Sequence, residues 1–342
     1  MNADEICLVS AADDNYAMPL AATIRSAIDS LPRRCRLRLF ILDGGMTPAS
    51  QEKVRASWRD PRVQVNWLRP DLDAISDLPT CGYLALTTYL RLFIAELLPT
   101  DVSHAIYLDS DVIIRRNLQL LWRERSDGFA LRAVPDYLTP FLNTRESLGR
   151  PTMCDSPPTN SLPVVNYREL GLPGHRPYFN AGVLVINLDH WRRTSFLHSA
   201  LRCLRDHRDQ VRWGDQYALN VLLSGQWQPL DPRWNQLGTI YDCASPHEFA
   251  LDNHRQALND PWIIHYCWRN KPWAENSNHP LAKHFFRALD RTAWRGWRVL
   301  RPQRVRQPTI LDPYVQKYQR KLSRFYTKRV SPLMQAIFGK AA

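Results

Sequence analysis

The sequence has no long apolar run among its 342 residues. None of its apolar stretches approaches the roughly 20 residues that a transmembrane helix needs. The first ten residues, MNADEICLVS, are acidic where a signal peptide would be basic, and they lack a long apolar core. We therefore expect a soluble intracellular protein without a membrane-spanning segment.

The sequence also lacks paired cysteines and internal repeats. Its seven cysteines are scattered along the chain, and no C-x-x-C motif occurs. An odd, dispersed set argues against a disulfide framework or a zinc site and favours reduced thiols in the cytoplasm. An apolar fraction of 44% with 12 Trp excludes disorder over most of the length.

Most of the chain has no excess of basic charge, although the formal net charge is +12. Residues 291–342 hold 13 Lys or Arg and one acid, Asp312. Subtracting these from the totals of 45 and 33 leaves 32 basic and 32 acidic residues in 1–290. Because that part is neutral and contains no nucleic-acid-binding motif, we expect no nucleic-acid partner.

The basic excess coincides with a helical pattern near the end of the chain. Between Leu311 and Tyr326 the apolar residues recur at helical spacing, and Lys and Arg residues occupy the neighbouring face. Such a helix suits an anionic membrane surface, so we predict that 286–342 is a basic, amphipathic, membrane-associating region. The alternative is that the apolar stripe packs on the rest of the protein and the cations are solvated.

Residues 1–110 alternate between short apolar strands and amphipathic helices, which predicts an α/β fold with a central, mostly parallel sheet flanked by helices. The predicted strands are ICLVSAA, LRLFILD, VQVNWL and HAIYLD. The predicted helices are MPLAATIRSAIDSL, a segment that begins near Thr47-Pro48, and YLRLFIAELL. Further on, YFNAGVLVIN and WIIHYCW are predicted strands, and WGDQYALNVLLSG is a predicted helix ending at Gly225.

Two acids, Asp109 and Asp111, interrupt the apolar segment AIYLDSDVII. On extended backbone both side chains point to the same face, and carboxylates this close repel unless a cation lies between them. At the carboxyl end of a strand, where such sheets bind ligands, the natural cation is Mg²⁺ or Mn²⁺. A bare acid-x-acid pair is, however, more often a solvated turn.

Five segments resemble the motifs of glycosyltransferase family 8 and occur in the family's order: AADDNY, YLDSDV, YFNAGVLVIN, WGDQYALN and IIHYCWRNKPW. The resemblance runs from about Ile6 to Trp273 and is greatest to bacterial lipooligosaccharide galactosyltransferases and lipopolysaccharide glucosyltransferases. It implies a GT-A type nucleotide-diphospho-sugar transferase fold over 1–285, with the Pro-rich segment 136–177 as a lid and acceptor loop. It also implies a UDP-sugar donor, Mn²⁺ (with Mg²⁺ possible) and retention of the anomeric configuration.

The implied acceptor is a glycan or glycolipid of the lipopolysaccharide or lipooligosaccharide type, which places the protein on the cytoplasmic face of the bacterial inner membrane. The resemblance makes Asp109, Asp111 and His265 the metal ligands. An imidazole nitrogen beside carboxylates favours Mn²⁺ over the harder Mg²⁺. The alternative for His265 is a hydrogen-bonded histidine in the core.

The resemblance also assigns the donor contacts. Four residues of AADDNY match uridine and ribose contacts: Ala11, Asp13, Asn15 and Tyr16. The competing interpretation is a polar turn that caps the following helix. Lys271 matches a diphosphate-binding lysine. Arg91 matches an arginine that contacts the donor sugar, although a solvated arginine on a helix is the alternative.

The remaining matches concern the transferred sugar. Asn180 matches a sugar-binding position, and Asp215 and Gln216 match the residues beneath the anomeric carbon. A carboxamide such as that of Gln216 is a poor nucleophile, which favours front-side attack by the acceptor over double displacement. Asp136 matches a position near the acceptor and the sugar.

Two residues depart from the family pattern. Trp268 stands where H-x-x-G-x-x-K-P-W has glycine, whose small size lets backbone approach the phosphate. Tyr217 stands where relatives often have a second acid, which bears on sugar and acceptor preference. A hypothesis of another class is therefore a catalytically silent nucleotide-sugar-binding or scaffold protein, with Trp268 as the sign of lost activity.

Overall fold

The computed structural model describes residues 5–80, 85–137, 139–144, 147, 162–238, 241, 254–268 and 270–299. The chain divides into two compact units, Met1–Val299 and Leu300–Ala342. The second unit, with the predicted tail helix, lies outside the described residues, as does the centre of the predicted 136–177 loop. Across the described ranges no helix is long and apolar enough to cross a membrane.

A seven-stranded sheet forms the centre of the first unit, in the order β3-β2-β1-β4-β7-β6-β8. Its strands are β1 (Glu5–Ala12), β2 (Arg36–Asp43), β3 (Val63–Leu68), β4 (His104–Leu108), β6 (Leu131–Pro135), β7 (Phe179–Asn187) and β8 (Trp227–Pro229). Within the described residues β7 alone runs against the other six. The prediction of a mostly parallel central sheet is confirmed.

Helices flank this sheet, as predicted: α1 (Ala17–Asp29), α2 (Pro48–Ser57), α3 (Ile94–Leu97), α4 (Leu118–Trp122), α5 (Leu188–Arg193), α6 (Phe196–Asp206), α7 (Asp215–Leu222), α8 (His254–Asn259) and α9 (Ala282–Leu289). Thr47 caps α2 by accepting a hydrogen bond from Ser50 N, with Pro48 in the first turn. Because helices cover both faces of the sheet, β1 is buried at every position from Ile6 to Ala12.

Two predicted helices differ in detail from the structure. YLRLFIAELL forms a 3₁₀ helix, Leu86–Phe93, that continues into the short α3. The helix expected to end at Gly225 ends at Leu222, and Gly225 follows with a φ of 78°, a left-handed conformation that glycine adopts without strain.

A second, three-stranded sheet lies beside the first, in the order β5-β10-β9. It is formed by β5 (Val112–Ile114), β9 (Gln236–Leu237) and β10 (Ile263–His265). β5 begins directly after the DSD segment and pairs antiparallel with β10, so that His265 lies opposite Val112. This register brings a residue from far along the chain to the two acids.

The strand directions gather several polar residues at one edge of the large sheet. β4 and β6 point the same way, so the residues that follow them, Asp109 and Asp136, emerge at the same edge. β7 runs the opposite way and therefore starts there, with Asn180 as its second residue. The backbone N–H of Asp109 donates to Gly182 O at 2.9 Å, which fixes this junction.

Candidate active site and metal centre

Asp109, Asp111 and His265 lie together, with one ligand atom of each within 4.8 Å of the others. His265 Nε2 lies 3.2 Å from Asp111 Oδ1 and 3.6 Å from Asp109 Oδ2. Asp111 and His265 are buried, while the Asp109 side chain is partly exposed. The three predicted ligands therefore form one cluster at the junction of the two sheets.

The cluster fits a divalent cation. Asp111 Oδ1 is buried and accepts no hydrogen bond from the described part of the chain. Two ligands that each lie about 2.1 Å from an ion, at right angles, are about 3 Å apart. The separation of 3.2 Å between Asp111 Oδ1 and His265 Nε2 matches that geometry. Two carboxylates and one imidazole suit Mn²⁺ and accept Mg²⁺.

The orientation of His265 is fixed by a second layer of residues. Its Nδ1 lies 2.9 Å from Asn235 Oδ1, and Asn235 Nδ2 donates to Asn180 Oδ1 at 2.9 Å. With Nδ1 directed at the Asn235 oxygen, the other ring nitrogen, Nε2, faces the two carboxylates. Gly182 makes room for the ring, since a Cβ there would lie 2.3 Å from His265 Cε1.

Lys271 forms a buried ion pair with the cluster. Its Nζ donates to Asp111 Oδ2 at 2.5 Å and to the backbone oxygen of Tyr266 at 2.9 Å. Burial lowers the pKa of Lys271, but Asp111 outweighs burial and holds that pKa above its ordinary value. Burial likewise raises the pKa of Asp111, yet Lys271 and His265 hold it below its usual range. Both groups are therefore charged at neutral pH.

Arg91 connects the cluster of Asp109, Asp111 and His265 to Asp215, one of the predicted sugar-binding residues. Its guanidinium lies 2.9 Å from Asp109 Oδ1 and 2.8 Å from Asp215 Oδ2, and it donates to Ala181 O at 2.6 Å. At 5% exposure Arg91 is not a solvated surface arginine. These contacts hold Asp109 and Asp215 in place, and a contact of Arg91 with a donor sugar stays a prediction.

Asp215, the first residue of α7, is a buried carboxyl group that shares the guanidinium of Arg91 with Asp109. Burial raises the pKa of Asp215 to about 7, against the opposing effect of Arg91. Burial also lowers the pKa of Arg91, but two carboxylates outweigh it and hold that pKa above its ordinary value. The carboxylate of Asp109 repels a negative charge on Asp215 and so contributes to the raised pKa of Asp215.

Gln216 is held at both ends of its carboxamide. Its Oε1 accepts a hydrogen bond from Ala181 N at 2.9 Å, and its Nε2 donates to the Tyr178 hydroxyl at 3.1 Å. The side chain is therefore neutral, oriented and adjacent to Asp215. These contacts fix which end of the amide faces the start of β7.

Asn180 and Asp136 are also neighbours. Asn180 Nδ2 lies 3.4 Å from Asp136 Oδ2, and Asp136 Oδ1 accepts from Thr139 N at 3.2 Å. Asn180 Oδ1 accepts from Gly182 N at 3.0 Å in addition to Asn235. The predicted sugar-binding residues thus form a network continuous with the second layer around His265.

The AADDNY segment leads from β1 into α1. Ala11 is buried within β1, and Asp13 caps the following 3₁₀ turn by accepting from Tyr16 N at 3.2 Å. The capping role considered for this segment therefore applies to Asp13 itself, whereas Asp14 Oδ1 accepts from Thr47. Asn15 is exposed on the same turn. Tyr16 joins the site through Lys271 Nζ, which lies 5.6 Å from the centre of its ring.

The sequence profile of "Glycosyl transferase family 8" matches residues 7–277. The chain belongs to this family. The general stress protein A of Bacillus subtilis (strain 168) is 25% identical to this family 8 protein over 300 residues, which cover 86% of this chain and 96% of that protein. The lipopolysaccharide 1,2-glucosyltransferase of Escherichia coli (strain K12) is 24% identical over 285 residues, 83% of this chain and 77% of that protein.

A solved structure resembles the family 8 protein over most of its length. The galactosyltransferase LgtC, in complex with donor and acceptor sugar analogues, superposes with a TM-score of 0.68 and 27% identity. The match covers 84% of this chain and 96% of LgtC. The expected GT-A type fold and the resemblance to family 8 are thereby confirmed, and the family implies a nucleotide-sugar donor and a glycan acceptor.

The two departures from the family 8 pattern have different structural settings. Trp268 keeps a left-handed backbone, with a φ of 67°, and its ring contacts Trp213 edge-to-face at a centroid distance of 5.8 Å. Tyr217 is fully buried, and its hydroxyl donates to Asn166 Oδ1 at 2.8 Å. Tyr217 therefore anchors the described end of the predicted acceptor loop.

Three residues of this family 8 site could not be predicted from the sequence: Asn235, Gly182 and Trp213. Asn235 lies in PRWNQL, which carries no pattern that points to a histidine 30 residues later. The need for glycine at 182 arises from a ring on another strand. Trp213 was visible only as the first letter of the WGDQY motif, and its contact with Trp268 depends on tertiary structure.

Proposed function

We propose that the protein is a retaining hexosyltransferase that moves galactose or glucose from a UDP-hexose to a glycan of the lipopolysaccharide or lipooligosaccharide type. The observation that carries this proposal is the placement of three metal-ligating side chains and a buried lysine beside a network of amides and carboxyls. The E. coli lipopolysaccharide 1,2-glucosyltransferase and the galactosyltransferase LgtC support the class of donor and acceptor.

Asp109, Asp111 and His265 would hold a divalent ion, and their mixed oxygen and nitrogen ligands favour Mn²⁺. When bound, such an ion neutralises charge that develops on a diphosphate leaving group. The contact between Asn235 and Nδ1 would orient the His265 ring so that Nε2 binds the ion, and this nitrogen ligand is the reason that Mn²⁺ is favoured.

Lys271 acts on the same leaving group. It is a charged ammonium beside Asp111, with the rings of Tyr16 and Trp273 at 5.6 and 5.5 Å from Nζ. The lysine ammonium is a mobile point charge, so it stabilises negative charge on departing UDP without requiring one fixed hydrogen-bond geometry. Tyr16, next to Lys271, and Asp13, which accepts a hydrogen bond from Tyr16 N, would bind the uridine.

Asn180, Asp136 and Asp215 would accept and donate hydrogen bonds to the hydroxyl groups of the hexose. Gln216 lies beside them, but its oxygen already accepts the Ala181 N–H, and a carboxamide is a poor nucleophile. We therefore favour front-side attack. The acceptor hydroxyl forms the new bond to the anomeric carbon, the carbon–oxygen bond to UDP breaks, and the hydroxyl proton passes to the departing phosphate oxygen.

The test is turnover of UDP-galactose, UDP-glucose and UDP-N-acetylglucosamine by the full chain, with Mn²⁺ and with EDTA. We expect Mn²⁺-dependent release of UDP from UDP-galactose or UDP-glucose, and proton NMR of the transferred sugar should show retained anomeric configuration. Folded protein that binds UDP but releases none from any of the three donors would instead identify a silent binding protein.

We also propose that the protein is peripheral on the cytoplasmic face of the inner membrane, because the 13 basic residues beyond 290 suit anionic lipid. Deletion of 311–342 should lower the affinity for phosphatidylglycerol vesicles at least about a hundredfold, since it removes seven basic residues that each contribute about 1 kcal/mol at such a surface. UDP-hexose hydrolysis is measured on the same samples as the control. Vesicle binding that survives the deletion would contradict this location.

A further inference from the structure

Two tryptophans from separate loops meet beside the proposed site. The rings of Trp213 and Trp268 are 5.8 Å apart between centroids, with an angle of 61° between their planes. Both are only partly buried, whereas Trp122, Trp191 and Trp234 are fully enclosed in the core. The pair is therefore not simply part of the hydrophobic core.

The backbone at Trp268 is unusual for a residue of this size. Its φ of 67° lies in the left-handed region, and within the described residues Ser195 is the other non-glycine residue with a positive φ. A glycine would adopt this conformation without strain, whereas a bulky side chain does not. Strained backbone of this kind clusters at ligand-binding clamps, which indicates that the indole has a function here.

The two loops that hold the pair also carry residues of the proposed site. Trp213 lies two residues before Asp215 and thus beside the sugar network, and Trp268 lies between His265 and Lys271 on the metal and diphosphate side. In the sugar network, Asn180 already makes polar contacts with Asp136 and Asn235.

The nucleotide side has an aromatic pair of its own, Tyr16 and Trp273 at 6.2 Å. The proposed contacts to the donor therefore do not involve the tryptophan pair. The acceptor is the substrate that remains for the pair to bind.

We propose that Trp213 and Trp268 form an aromatic platform that binds a hexopyranose unit of the acceptor glycan. One face of a pyranose ring carries mostly C–H groups and is apolar, while its edges carry hydroxyl groups. A partly exposed indole buries that face and leaves the hydroxyl groups to polar neighbours. This inference rests on the proposed function and identifies its acceptor as a neutral sugar ring, bound by stacking.

The experiment measures glycoside and UDP affinity on the same samples. Methyl β-galactopyranoside, methyl β-glucopyranoside and lactose are titrated by saturation-transfer NMR into full-length protein that holds UDP and Mn²⁺. For Trp268→Gly we expect the ratio of glycoside to UDP affinity to fall about tenfold, as for other losses of aromatic stacking. Trp268→Phe, which keeps an aromatic ring, should restore most of that ratio.

Two controls separate stacking from loss of structure. Trp268→Gly should unfold at a temperature no lower than Trp268→Ala, because glycine relieves the strained backbone that alanine retains. Trp297→Ala, which removes an exposed indole after α9, should keep the wild-type affinity ratio.

The proposal is overturned if Trp268→Gly keeps its glycoside affinity, or if it loses UDP affinity instead. Wild-type protein that contacts none of the three glycosides would also overturn it. Failure of the proposed function is a separate result, since it appears as the absence of UDP-hexose turnover, while glycoside binding is measured without transfer.

Discussion

The two sides of the candidate site differ in their chemistry. The side built from Asp109, Asp111, His265 and Lys271 is densely charged and largely buried. The side built around Gln216 consists of amides and of Asp215, a carboxyl group whose pKa is raised to about 7. Fixed charge on one side and a neutral carboxamide on the other suit the proposed reaction, in which the charges stabilise the departing diphosphate and no enzyme nucleophile takes part.

The largest effect is expected from the charged side. Asp111→Asn should lower transfer at least about a thousandfold, because it removes a proposed metal ligand and the partner of Lys271. Far-UV circular dichroism should remain that of the wild type. Asp101→Asn, which breaks the exposed pair with Arg38, is the matched control and should keep wild-type activity. Full activity in Asp111→Asn would remove the metal assignment.

The neutral side should be less sensitive. Gln216→Ala removes two hydrogen bonds but no charge, so kcat should fall about 10- to 100-fold. Gln226→Ala, at an exposed glutamine beyond α7, is the control. If Gln216→Ala were as inactive as Asp111→Asn, the contrast between the two sides would fail and double displacement through Gln216 would gain support.

Lys271→Met sharpens the comparison within the charged side. The Lys271 ammonium is bonded to Asp111 and repels a metal cation there. Without it, Mn²⁺ should bind the UDP-free protein about tenfold more tightly. In the presence of UDP this gain should disappear, because the lysine no longer contacts the diphosphate. Calorimetric titration of Mn²⁺ with and without UDP measures both, and Lys283→Met on α9 is the control. Equal changes in the two titrations would contradict a role of Lys271 toward UDP.

The smallest effect concerns Asp215. Its pKa is raised to about 7 in the fold, so the folded protein retains a proton that the unfolded chain loses above about pH 4. The stability linked to this proton is present at low pH and is lost as the pH rises through 7. The melting temperature of Asp215→Asn relative to wild type should therefore rise between pH 5 and pH 8. Asp209→Asn, at an exposed carboxyl group, should show no such trend.

Much of the large sheet could be predicted from the sequence, because buried parallel strands have an apolar pattern that survives tertiary contacts. The strands around Leu8, Leu39 and Ile106 lie where that pattern places them. The pairing of β10 with β5 could not be predicted from the pattern, since it joins two three-residue strands about 150 residues apart. The position of His265 beside Asp111 came only from the family resemblance.

Contacts that depend on three-dimensional packing were beyond the sequence. Arg91 matched a position thought to contact sugar, but whether it would be solvated or enclosed depends on Asp109 and Asp215, which lie on other elements. The edge contact of Trp268 with Trp213 depends in the same way on two loops that are distant in the chain. In each case a single residue type is compatible with several environments until its neighbours are known.

The proposed metal ligands connect two separate sheets: Asp109 directly follows a strand of the large sheet, and His265 ends a strand of the small one. An ion shared by them would fasten the sheets to each other, and unfolding would have to release it. Binding of the ion is therefore coupled to thermal stability, and the melting temperature of the protein should rise with manganese concentration. A thermal-shift titration would then report ion binding in the absence of any sugar.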